Sequence, residues 1–165
     1  MNELITALKA AFASEYAFYL KAQNFHWNVE GDDFYQMHQM FGQIYNEVGD
    51  SIDDFAENIR KCQSFTPASF ISLNALSVVQ GNEQHLDCLE MAKELLQDSD
   101  NLAAMFAAVY DKADAAREFG LANFLADRQD AHRKHSWMLR STLVPETEEP
   151  GEAGDVQMSI NRRRK

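Results

Sequence analysis

Proline and cysteine are scarce in this sequence, three and two residues among 165, and each scarcity closes off a class of fold. With so few prolines, and only seven glycines placed mostly at apparent breaks, long uninterrupted helices are favoured. Cys62 and Cys88 carry no metal-type spacing and do not suggest a secreted disulfide scaffold, so free thiols in a reducing cytosol are expected. There is no apolar run of about 18 residues and no signal peptide, so a soluble protein is expected. Positive charge is also short: 15 Lys/Arg face 26 Asp/Glu, a net charge of −11, and such a body should repel nucleic acid and anionic membrane. No glycine-rich phosphate cradle or nucleophile–base arrangement is visible, which leaves hydrolase and kinase readings without support. What is abundant is apolar: 45% hydrophobic residues with 11 Phe, 5 Tyr and 2 Trp, enough for one domain with a real core.

Met1 to about Asn28 places Leu4, Leu8, Ala11, Phe18, Ala22 and Phe25 at three- and four-residue steps, the pattern of an amphipathic helix. That helix starts almost at once, so no basic N-terminal arm is expected. A second helix is predicted from Asp33 to Cys62, with Phe34, Met37, Phe41, Ile44, Val48, Ile52, Phe55 and Ile59 as its core stripe. Beside it lies a stripe of His38, Gly42, Tyr45, Gly49 and Asp53. Each mid-helix glycine costs roughly 1 kcal/mol relative to alanine. Either another backbone approaches closely there, or the pair is incidental to an exposed face. Thr66-Pro67 predicts a short helix reaching about Asn74. A third long helix is expected from Asp87 to Phe119, carrying Leu89, Leu95, Leu96, Met105, Phe106, Val109 and Ala113 and ended by Gly120. A fourth runs from Leu121 to Leu143 with Phe124, Leu125, Trp137, Met138 and Leu139, and Pro145 stops it. The expectation is all-α: a four-helix bundle over residues 1–143 with a short helix between the second and third long helices. Residues 144–165 read as a flexible acidic tail ending in a basic cluster.

His26, His38, Asp53 and Glu57 are the candidate metal ligands. In a hairpin turning near Gly31, His26 and His38 differ in height by only about 3 Å at ~1.5 Å per residue, so their imidazoles can converge. Asp53 and Glu57, one turn apart, share a helix face. Yet His38 and Asp53 lie on the order of 22 Å apart along one helix, whereas metal–ligand bonds are about 2.0–2.2 Å. One chain therefore cannot close the site, but an antiparallel two-fold copy could supply the missing half. Two imidazoles and two carboxylates suit a borderline divalent metal, and iron with open positions suits redox chemistry. The competing reading makes the histidines structural and Glu47, Asp50, Asp53, Asp54 and Glu57 a solvated face. His132 and His135, with no carboxylate at a matching step, are expected to be surface or interhelical residues.

The segment Asn24-Phe-His-Trp-Asn-Val29, followed by Gly31, Phe34, His38, Asp53 and Ala56-Glu57, resembles the Dps family of ferritin-like mini-cages, and the likeness extends to His135-Ser-Trp-Met-Leu-Arg140. It covers roughly residues 1–143. The resemblance implies a ferritin-like bundle assembled into a twelve-subunit shell of two-fold dimers. It implies a ferroxidase: Fe(II) is oxidised, usually by hydrogen peroxide, and stored as ferric iron. His26 and His38 would bind iron from one subunit and Asp53 and Glu57 from its two-fold partner, with Trp27 close by or simply packed at the hairpin. Two departures stand out. Gly42 occupies a position where many relatives carry an Asp, so a second iron is expected to bind weakly or through water; Arg133 stands where relatives often have an acid. Glu118, Asp127 and Asp130 are candidate counterparts of the family's pore acids but read more simply as solvated acids.

The family's DNA binding is the doubtful element here. Residues 1–143 hold 21 Asp/Glu against 11 Lys/Arg, and the tail sets five acids against Arg162, Arg163, Arg164 and Lys165. Those four could grip phosphates multivalently, but the acidic body opposes them, and weak or absent DNA binding is expected near neutral pH. A cytoplasmic location is expected, with nucleoid association left open. Two rivals remain: a structural or DNA-compacting cage with an idle metal site, and a non-catalytic helical adaptor.

Overall fold

A computed structural model describes residues 1–145 and contains, among them, five helices and no strand. They are α1 (Asn2–Asn28), α2 (Phe34–Lys61), α3 (Phe70–Leu76), α4 (Cys88–Ala115) and α5 (Phe119–Thr142). None of them is long and apolar enough to cross a membrane. Apart from Val144 and Pro145, the expected tail and its cluster Arg162, Arg163, Arg164 and Lys165 lie outside the described residues.

Aromatic contacts fix how the helices run. Phe12 meets Phe55 and His26 meets His38, so residue numbers rise on α1 as they fall on α2 and the pair is antiparallel. Phe55 touches Phe12, Phe106 and Phe124 at ring-centroid distances of 5.8, 5.9 and 5.1 Å, which joins all four long helices at one point. Phe18, Phe25, Phe41, Phe55 and Phe106 are fully buried, each side chain contributing about 1.5–3 kcal/mol through burial. The α1 stripe is buried as its spacing requires. On the other helices Phe34, Leu89 and Trp137 face outward instead, because they sit at helix ends or on the edge of the apolar arc.

Helix boundaries depart from expectation in two places. Thr66 does not start α3: its hydroxyl donates to the Ala56 carbonyl at 2.9 Å, tying the connector to α2. Ser69 is the cap, in a reciprocal capping box with Ser72. Nor does Gly120 end α4. The chain leaves the helix at Ala116, Arg117 takes the left-handed conformation (φ 62°), and Gly120 lies in the first turn of α5. The bonds from Arg117 N–H to Asp114 O and from Glu118 N–H to Ala113 O complete a Schellman motif. α2 ends the same way, with Gln63 at φ 59° and Ser64 N–H on Ile59 O. A left-handed residue with a Cβ costs about 1–2 kcal/mol, part of which glycine gives back through its own lost entropy. Gln63→Gly should therefore stabilise the fold by up to about 1 kcal/mol, measured as a higher urea midpoint at unchanged slope. A lower midpoint would show that the Gln63 side chain holds the turn.

Candidate metal centre

The α1–α2 turn carries Gly31 at φ 108°, a conformation that suits glycine alone. It brings the last turn of α1 against the first turns of α2, and two histidines meet there. The His26 and His38 rings stack with centroids 3.8 Å apart and planes 20° from parallel. Each Nδ1 lies 2.7 Å from the other residue's backbone carbonyl oxygen. A carbonyl only accepts, so both Nδ1 atoms carry the hydrogen. In the neutral ring this sets the tautomer and leaves the lone pair on Nε2. Metal-ligating histidines are oriented by such a bond on the remote nitrogen. Phe34 stacks on His38, and Tyr45 sets its edge against His26, each at 5.1 Å.

The helical glycines follow from the same packing. A Cβ on Gly42 would lie 3.1 Å from the His26 ring, and one on Gly49 would lie 3.0 Å from the Tyr19 ring. What approaches α2 at both points is a ring rather than a backbone. Gly42 thus makes room for a candidate ligand.

Asp53 and Glu57 are exposed on α2, well away from the histidines, and Asp50 and Asp54 share that exposure. Among the described residues, no group of three or more His, Cys, Asp or Glu stands close enough to hold a metal. A single chain keeps the His26/His38 pair and the Asp53/Glu57 pair toward opposite ends of the hairpin. Trp27, 62% exposed, lines an apolar groove between α1 and α3 with Leu20 and Phe70, both also exposed. Glu118, Asp127 and Asp130 are exposed acids.

A second cluster escaped the spacing argument. Glu15, with 0% exposure, receives the Arg128 Nε–H at 3.0 Å and the His132 Nε2–H at 2.8 Å. The Arg128 guanidinium also donates to both oxygens of Glu47, and His135 Nε2 lies 3.3 Å from Glu47. Ser99 Oγ sits 3.1 Å from His132 Nδ1. The two histidines are thus buried between helices, not on the surface, and Glu47, though half-exposed, is tied inward to Arg128 and His135. Burial would push Glu15 up, but His132 and Arg128 outweigh it and hold its carboxyl below the ordinary range. Against the same opposition, His135 and Arg128 bring Glu47 down to about 2. Burial pushes His135 down, only partly offset by Glu47. Two carboxylates and two imidazoles from three helices make a metal-type donor set in the bundle core. Here Arg128 supplies the positive charge, and its guanidinium takes the carboxylate lone pairs a metal would need. The sequence did hold a signal: Glu15 interrupts the apolar face of α1, and Arg128, His132 and His135 follow at helical steps on one face of α5.

Comparison with known proteins agrees with this architecture. The ferritin-like domain family matches residues 5–145. General stress protein 20U of Bacillus subtilis (strain 168) is 31% identical over 145 residues, covering 86% of this chain and 98% of that protein. A DNA protection during starvation protein of Brevibacillus brevis is 31% identical over 128 residues, covering 76% of this chain and 84% of the relative. The crystal structure of Dps from Staphylococcus aureus superimposes with a TM-score of 0.85 at 26% identity, covering 88% of this chain and 98% of that one.

Proposed function

Because the chain belongs to the Dps family of ferritin-like proteins, we propose that it is an iron-oxidising and iron-storing shell protein, a ferroxidase whose active site is shared between two copies. Twelve subunits assemble as two-fold dimers. In each dimer Asp53 and Glu57 of one chain face His26 and His38 of the other, giving two equivalent sites. Fe(II) bound there loses electrons to hydrogen peroxide, and ferric iron is held inside the shell. Removing Fe(II) and peroxide together removes both reactants of hydroxyl-radical formation, which protects DNA without requiring that DNA be bound. The excess of acidic residues draws Fe(II) toward the shell.

One observation carries this reading: the reciprocal Nδ1–carbonyl bonds present two Nε2 lone pairs side by side at a place where the chain supplies no third ligand. The exposed groove at Trp27 supports a neighbour on this face.

Anaerobic Fe(II) titration followed by peroxide tests the chemistry. Rapid ferric absorbance well above a protein-free control is expected, and absorbance equal to the control would leave only a cage with an idle site. A light-scattering mass near 226 kDa, about twelve times the 18.8 kDa chain, is expected in the same sample, whereas a monomer or lone dimer would favour the adaptor reading.

A further inference from the structure

Three tyrosines line up between the two half-sites of each chain. Tyr45 stands 5.1 Å from His26, Tyr19 stands 6.0 Å from Tyr45, and Tyr16 stands 6.0 Å from Tyr19, all in edge-to-face contact. The row lies along the α1–α2 seam in a shallow groove of about 430 Å³ that Asp53 also lines. It therefore starts at the histidines and ends beside the carboxylate. Gly49 clears the space for Tyr19, and the Gln23 side-chain amide donates to the Tyr19 hydroxyl at 3.1 Å. Phe residues fill the neighbouring core, whereas these three tyrosines pack half-buried along its edge.

We propose that Tyr16, Tyr19 and Tyr45 form an electron relay joining the two iron sites of a dimer. The proposal rests on the shared-site reading above, in which the histidine end of the row belongs to one site and the Asp53 end to the other. The chemistry explains the need. Each Fe(II) gives one electron, but reducing hydrogen peroxide to water takes two. With Gly42 in place of a carboxylate, a second iron at each site is expected to bind weakly or through water, and where a site holds one iron, peroxide reduced by a single electron would release a hydroxyl radical. In the relay, peroxide takes one electron from the Fe(II) beside it and one from Tyr45, together with the phenolic proton and a proton from solvent. The O–O bond breaks and two waters leave. An Fe(II) at the far site then reduces the tyrosyl radical, passed along the row, and a proton returns to the phenol oxygen. The net change is two Fe(II) oxidised per peroxide and two protons consumed.

Loading one Fe(II) per two chains tests this, because the radical then has no second iron to refill it. Rapid freezing after peroxide should trap a tyrosyl signal in electron paramagnetic resonance. Zn(II) in place of iron should give none. Tyr45→Phe and Tyr19→Phe keep the rings and should bind Fe(II) anaerobically as the parent does. They should show a weaker or displaced radical signal, fall from two toward one Fe(II) oxidised per peroxide, and release several-fold more spin-trapped hydroxyl radical. Fast iron oxidation in the parent with no tyrosyl signal, or unchanged stoichiometry in both variants, would overturn the relay and leave the ferroxidase reading standing. Absence of fast oxidation in the parent itself would overturn both.

Discussion

Co-assembly of His38→Ala chains with Asp53→Ala chains is expected to restore about a quarter of parental iron oxidation, although each variant alone is nearly inactive. Either homomeric variant loses a ligand from every site. Even an outer-shell partner costs 10–100-fold at metal centres, so a loss on the order of 100-fold is expected for each. In a random equal mixture half of the dimers contain one chain of each kind. Such a dimer has one site lacking both groups and one site intact, with imidazoles from the Asp53→Ala chain and carboxylates from the His38→Ala chain. Recovery therefore reports directly on the two-chain site. Were the four residues to act within one polypeptide, mixing would restore nothing. His38 lies some 22 Å from Asp53 along α2 at ~1.5 Å per residue, which makes such closure inaccessible to a folded monomer. Both exchanges should preserve the shell, since Asp53 is exposed and His38 only half-buried.

The α1–α2 hairpin was legible in the sequence because a helix converts residue spacing into height. The same 1.5 Å rise that aligned His26 with His38 also separated His38 from Asp53. The ferritin-like, all-α fold followed from that periodicity and from the Dps-like residues around His26. Where the sequence misled, a local signal was outbid by a tertiary one. Thr66 carries a capping side chain, but Ala56 O claims its hydroxyl. Gly120 looked like a stop, but Arg117 had already turned the chain. The glycines of α2 were visible as a cost, though not what they make room for, since the His26 and Tyr19 rings arrive from another helix. The buried cluster was hardest to see. Glu15 and its partners Arg128 and His132 are more than a hundred positions apart in the chain, and no spacing rule on one helix reaches that far.

Arg128→Met should be the most destabilising single change outside the iron site, by about 3–5 kcal/mol near neutral pH, because removing one member of a buried ion pair leaves the other uncompensated. Glu15 is fully buried and Arg128 nearly so, and little water reaches either. The pH dependence identifies the cause. In the parent, Glu15 and Glu47 are held below the ordinary carboxylate range, Glu47 from 4.5 to about 2. Burial likewise lowers His135. For groups with depressed folded values the unfolded chain binds more protons in acid, so their stabilisation is present at neutral pH. It fades as pH falls, for His135 from below its ordinary value of 6.5 and for the carboxylates from about 4.5 toward 2. Asp98, raised by burial despite Lys21, opposes this trend. Without Arg128, Glu15 keeps His132 but loses the second partner that holds it down, and burial drives its carboxyl upward, so protonation relieves the variant. The gap between parent and variant should therefore narrow steadily between pH 7 and pH 4 in guanidinium unfolding followed by circular dichroism. The double change Glu15→Gln with Arg128→Met should be less damaging than Arg128→Met alone at pH 7. A gap that stays constant with pH, and no rescue by the double variant, would mean that Arg128 acts through packing and not as the cation of this cluster.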